Sequence, residues 1–329
     1  MVSGALSPVA RPGAIKTGHG PADETGMEFG HLERLTAADC RRLLPGAPVG
    51  RLVLPTPNFP TVEPVAFALV DDGVAVVVRA GSAGDAAGLG TVVAFEADVL
   101  DHEVRQGWSV VVRGPLAALD ADLAETVKAR MSPWPAAPGD RLLLVKSERM
   151  TGQRITSDGP RETVLDTLPP VTAPNPAPTP ALRRRTLTAE EGLHLLQTGG
   201  QHVGRLAITV AGEPLVFPLN YALDGDAVVF RTQVGTKLSG ITRSLTTFEV
   251  DHIDADGQGW SVTFEGLAQE VLDADPAALR ARIDALALET WPGGDRPHVV
   301  RITAFAVRGT AWTPAEVAVA SSALPPAAG

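Results

Sequence analysis

The chain has 329 residues, 44% hydrophobic and 20% charged, enough for two ordinary globular domains with cores of their own. Its formal net charge of -10 opposes non-specific contact with nucleic acid or an anionic membrane surface, so neither is expected as a partner. A single cysteine, Cys40, excludes an intrachain disulfide, and without a Cys/His cluster there is no zinc-site pattern.

Residues 1–30 are rich in Gly, Pro and Ala and lack the continuous apolar run of a secretory signal, so a disordered tail is expected. No apolar run reaches the length of a membrane-spanning helix, and a cytoplasmic protein is the default expectation. Leu35-Thr36-Ala37-Ala38-Asp39 then opens a helix, with Thr36 as cap and Asp39 at the acidic position of a capping box. Cys40 falls on the apolar side of that helix, where a buried, inert thiol is expected.

The same device returns at Leu187-Thr188-Ala189-Glu190-Glu191. Val49-Gly50-Arg51-Leu52 reappears as Val203-Gly204-Arg205-Leu206, and Phe95-Glu96-Ala97-Asp98 as Phe248-Glu249-Val250-Asp251. Gly107-Trp108-Ser109-Val110 recurs as Gly259-Trp260-Ser261-Val262. The near-constant offset marks a duplicated module, spanning 31–156 and again 183–312. Late helices are expected over 122–131 and 276–288, the second capped by Asp275. Between the modules, residues 157–182 carry repeated prolines and read as an extended linker, ending at Arg183-Arg184-Arg185, a solvated charge cluster. Residues 313–329 read as a second loose tail.

Function is concentrated between Phe217 and Asp251. Leu215 to Leu223, the turn Asp224-Gly225-Asp226 and Ala227 to Thr232 read as a β-hairpin ending in Arg231-Thr232. A loop with Gly235 leads to Thr236-Lys237 and a helix over 237–244. Arg, two hydroxyls and Lys near a helix start suit a phosphate dianion; the alternative is a solvated basic loop. No GxSxG elbow, HExxH, Walker loop or GxGxxG is present, and the seven histidines do not cluster.

The set PLNYALDGDAVVFRT, GTKL, FEVDHID and GWSV resembles the pyridoxamine 5'-phosphate oxidase-like family of flavin-binding split β-barrels. The resemblance implies a mainly β fold with flanking helices: two tandem split β-barrels forming an intramolecular pseudo-dimer, with FMN in a cleft between them. Carried over by position, Arg231, Thr232, Gly235, Thr236 and Lys237 resemble the phosphate-holding residues. Pro218, Leu219 and Asn220 resemble the strand along the flavin ring, and Trp260 and Ser261 the Gly-Trp-Ser segment near it. An aromatic on a barrel strand is also an ordinary core residue. Tyr221 is assigned to the core by alternation.

The first module departs from the pattern: Ala66 stands where the second has Asn220, Ala80 where it has Thr232, and the loop over 81–88 lacks lysine and adds Asp85. One cleft would pair the second module's loop with Gln153 and Arg154 of the first, and the other would inherit the degraded loop. The resemblance thus implies one flavin per chain, as cofactor of a reductase or oxidase acting on a small molecule. Arg296-Pro297-His298 has the spelling of the family's substrate element but precedes the last strand, so vitamin B6 oxidation is not expected. A deazaflavin (F420) reductase, using Arg183 to Arg185 for the longer acidic tail, and a non-catalytic flavin-binding scaffold remain as alternatives.

Overall fold

The computed structural model describes residues 31–101, 105–128, 131, 139–156, 182–200, 202–233, 241, 244–254, 257–286, 288 and 296–314. Residues 1–30 and 315–329, most of the linker, and the Gly235-Thr236-Lys237 segment with most of its expected helix lie outside them, while Thr313 and Pro314, expected in the tail, end the last strand.

The first module holds β1 (His31–Leu35), β2 (Gly50–Leu54), β3 (Thr61–Val65), β4 (Phe67–Val70), β5 (Gly73–Val78), β6 (Val92–Asp101), β7 (Gln106–Ala118), β8 (Arg141–Lys146) and β9 (Arg149–Thr156), with helices α1 (Ala37–Leu43), α2 (Ala83–Ala86) and α3 (Ala121–Lys128). The second holds β10 (Leu182–Leu187), β11 (Val203–Val210), β12 (Glu213–Asn220), β13 (Ala222–Asp224), β14 (Ala227–Thr232), β15 (Leu245–Ile253), β16 (Gly259–Glu270) and β17 (His298–Pro314), with α4 (Ala189–Thr198) and α5 (Ala277–Ala285). The sheet orders β3-β2-β6-β7-β8-β5-β4 and β12-β11-β15-β16-β17-β14-β13 are the same arrangement used twice. The architecture is two tandem split barrels.

Both predicted capping boxes form: Thr36 with Asp39 starts α1, and Thr188 with Glu191 starts α4. The predicted cap at Asp275 does not. Asp275 accepts from Leu272 N–H instead, and Pro276 occupies the cap position of α5 without a side-chain bond.

The hairpin read from Leu215 to Thr232 is also corrected. The apolar run breaks at Tyr221; β12 pairs with β11, and only β13 pairs with β14. The two halves of the run therefore lie at opposite edges of the sheet order, which curls the sheet. Tyr221 is buried against Phe248, as alternation placed it, and its hydroxyl lacks a hydrogen-bond partner among the described residues.

The central strands are buried on both faces for two different reasons. Leu52 and Leu54 of β2, and Phe95 and Ala97 of β6, enter the first module's core. Their neighbours Val53 and Ala94 pack with Val62, Ala207 and Val216 in an apolar cluster drawn from both modules. Period-2 alternation thus sends one set of side chains to the barrel core and the other to the partner module. Gly50 and Gly204 recur because a Cβ there would lie 2.1 Å and 2.2 Å from the nearest ring carbons of Phe95 and Phe248.

Candidate functional site

A cavity of about 410 Å³ opens between the modules. The first module contributes Val62, Glu63 and Pro64 from β3 and Arg79 after β5. Facing them are Arg184 and Thr186 of β10, Ser261 of β16, and Thr310 and Trp312 of β17. This cleft thus joins the first module's loop to the second module's strands. This corrects the grouping of Ser261 with Arg231: Ser261 belongs to the cleft of Arg79.

In that cleft the loop after β5 is saturated by the protein's own carboxylates. Glu63 accepts from the N–H of Ala83 at 2.8 Å and from Ser82 Oγ at 2.9 Å. Asp85 accepts from Gly81 N–H at 3.0 Å, and Asp140 from Ala80 N–H at 3.1 Å. The Gly81 amide, followed by Arg141, holds the Asp85 carboxyl below its usual range. These backbone donors are the kind a phosphate group needs, and here they are taken. A phosphate does not fit this loop.

The strand register maps the opposite cleft. Leu52 faces Glu63 and Leu206 faces Phe217, so Phe217 stands where Glu63 does, and Pro218 where Pro64 does. Ser109 faces Gln153 on β7 and β9, as Ser261 faces Thr310. Pro218, standing where Pro64 does, thus looks toward Ser109 and Gln153, whereas Arg231, four residues past the hairpin turn, faces Val299 as Val77 faces Leu142, which corrects the alignment of Arg231 with Arg79. Arg231 is half-buried and, unlike the first-module loop, has no carboxylate partner among the described residues. From Gln233 to Ser244 the sequence contains no Asp or Glu.

The remaining predicted residues divide by strand alternation. Leu219 and Thr232 are buried, whereas Pro218, Asn220 and Arg231 are only partly so. Asn220 Nδ2 donates to the carbonyl of His202 at 3.3 Å. Gln153 and Arg154, being adjacent on β9, point to opposite faces, and Arg154 Nε is buried without a hydrogen-bond partner among the described residues. Trp260 lies in the second module's core. His298 begins β17 opposite Thr232 and contacts Glu270 through Nδ1.

The family model described as pyridoxamine 5'-phosphate oxidase matches residues 36–154 and again 188–317. The chain belongs to the pyridoxamine 5'-phosphate oxidase family. An uncharacterized protein of Mycobacterium tuberculosis is 34% identical over 129 residues, 36% of this chain and 83% of that protein. The FAD-binding protein of Mycobacterium smegmatis is 34% identical, covering 38% of this chain and 97% of that structure at a TM-score of 0.33. A structure described as a putative pyridoxamine 5'-phosphate oxidase of Corynebacterium glutamicum is 28% identical, covering 40% and 99% at a TM-score of 0.35. Each relative matches a length close to one module of this oxidase-family chain.

Where the two modules of this family member meet, six buried ionisable groups form one cluster: Arg51, Glu96 and Asp98 with Arg205, Glu249 and Asp251. Arg51 donates to both oxygens of Asp251 at 2.8 and 2.7 Å, and Arg205 reaches Asp98 with a shortest contact of 2.7 Å. Burial, followed by the adjacent aspartates Asp98 and Asp251, pushes Glu96 and Glu249 up to about 8. Asp98 and Asp251 are held below the usual carboxylate range because the two arginines outweigh their burial. With both glutamates protonated, two guanidinium groups balance two carboxylates. Ser109 and Ser261 donate to Glu96 and Glu249 at 3.1 and 2.8 Å, linking the strand of each cleft to this cluster. Sequence reading recorded these residues only as repeat markers. Their signal was a charge kept at matching positions on strands otherwise apolar.

Among the described residues no His/Cys/Asp/Glu group could hold a metal ion, and no helix is long and apolar enough to cross a membrane.

Proposed function

We propose that this chain is an FMN-binding flavoprotein of oxidoreductase type, holding one flavin in the cleft of the second module's loop. The observation that carries this is the contrast between the two loops. In the first, Glu63, Asp85 and Asp140 occupy the polar donors. In the second, Phe217 replaces Glu63, Arg231 has no carboxylate partner among the described residues, and Gln233 to Ser244 bring no acid.

Arg231 would hold the phosphate, with Thr236 and Lys237 of the following loop as further donors. Pro218 and Asn220 would run beside the ring, and Gln153 would reach it from the first module. A bound flavin supplies hydride and electron transfer itself. The protein's part is to bind and orient it and to admit a small-molecule substrate. FMN is favoured over the F420 alternative because Arg184 lines the other cleft and Arg185 pairs with Glu191 at 2.7 Å.

The test is the visible spectrum of the purified chain, with the released chromophore identified and counted. About one FMN per chain, lost in Arg231→Ala and kept in Arg79→Ala, is the expected result. Two tight flavins per chain, or none after added FMN, would overturn the reading.

A further inference from the structure

The cleft whose loop is saturated by Glu63 keeps an open cavity of about 410 Å³, within the range of small-molecule sites. Its charge balance is positive. Three arginines line it, Arg79, Arg184 and Arg308, against the single carboxylate Glu63. Arg308 is held by both oxygens of Glu265 at 3.2 Å, and Glu63 is committed to Ser82 and Ala83. Arg79 and Arg184 have no ion-pair or hydrogen-bond partner among the described residues.

The walls are fixed. Ser261 is buried and bonded to Glu249, and Trp312 is buried among Val49, Ala66 and Leu144 of the first module. Val62, Pro64, Leu187 and Val307 add apolar surface. We propose that this cleft is a second ligand site, taking an organic carboxylate without a phosphate group, its carboxylate on Arg79 and Arg184 and its apolar body against Trp312.

The headgroup follows from which donors remain. A phosphate dianion needs several converging donors, and the loop's amides and Ser82 are already bonded to carboxylates that would also repel it. A carboxylate needs only one guanidinium fork, which accepts it with two parallel N–H bonds. Glu63 therefore converts a phosphate cradle into a wall of the site. The inference concerns the cleft opposite Arg231 and stands whether or not that one holds a flavin.

Three fluorescent probes with a common ring test it on the full chain: 2-naphthoate, 2-naphthyl phosphate and 2-naphthol. One naphthoate per chain is expected, about tenfold tighter than either other probe, as one lost charge-assisted pair implies. Arg79→Ala and Arg184→Ala should each weaken naphthoate, Arg79→Ala by about tenfold, while Arg231→Ala leaves it unchanged. Glu63→Gln should narrow the preference for carboxylate over phosphate. Arg79 is only partly buried, and unchanged thermal unfolding of its variant separates lost binding from lost fold. Absence of saturable naphthoate binding overturns the proposal. So does naphthyl phosphate binding as tightly as naphthoate, or sensitivity to Arg231→Ala in place of Arg79→Ala. A chain that takes up no added FMN yet still binds naphthoate would sink the flavin reading alone.

Discussion

Arg51 and Asp251, 200 positions apart, meet in a buried two-pronged ion pair: Nε and Nη2 of the arginine donate to the two carboxylate oxygens at 2.8 and 2.7 Å. The pair ties the first module to the second where both side chains are only 4% exposed. Removing one partner strands the other, so Arg51→Ala should cost about 3–5 kcal/mol in urea unfolding. Arg113 and Glu213 also bridge the modules at 2.9 Å, but Glu213 is half exposed, and Glu213→Ala should change stability by less than about 1 kcal/mol.

Stability should fall as pH rises from about 4.5 to about 8. Glu96 and Glu249 are pushed up to about 8 in the folded chain, from an ordinary value of 4.5. In that window the native state keeps protons that the unfolded chain has lost, so stability declines with pH and levels off above it. Asp98 and Asp251 are lowered, so their contribution is present above their ordinary 3.8 and is lost as pH falls below it. Glu96→Gln with Glu249→Gln, which mimics the protonated pair, should flatten the decline when unfolding midpoints are compared at pH 5 and pH 9.

Gly50→Ala and Gly204→Ala should each destabilise by about 1–3 kcal/mol, since the added methyl must displace a fully buried phenylalanine ring. Calorimetry of the two single variants would show whether both modules carry the constraint, as the matching distances of 2.1 and 2.2 Å require.

Thr36→Ala and Thr188→Ala each remove a capping box whose threonine Oγ accepts at 3.2 Å from the third helical N–H. A loss of about 0.5–2 kcal/mol in chemical unfolding is expected for each.

How far the sequence could be read depended on the range of the interaction. The capping boxes at Thr36 and Thr188 were legible because donor and acceptor are three residues apart. The duplication was legible because matching strands kept their glycines, aromatics and charges in the same order. The break at Tyr221 was not, because the one proline in the run from Leu215 to Leu223, Pro218, lies within β12 and no Gly or Pro stands at the break itself. Nor was the division of Ser261 from Arg231, since which module completes which cleft depends on docking.

The sequence by itself determined that two copies of one β-rich module exist, and that the second copy carries a basic loop free of acids. Alternating side chains and short-range hydrogen bonds suffice for that. Only the tertiary structure decided what the acids of the first copy do. Glu63 closes a loop 20 residues ahead, and Asp251 meets an arginine 200 residues behind. Both contacts rest on charges brought out of water by strands that approach only when the barrels close and dock, so no local pattern could announce them.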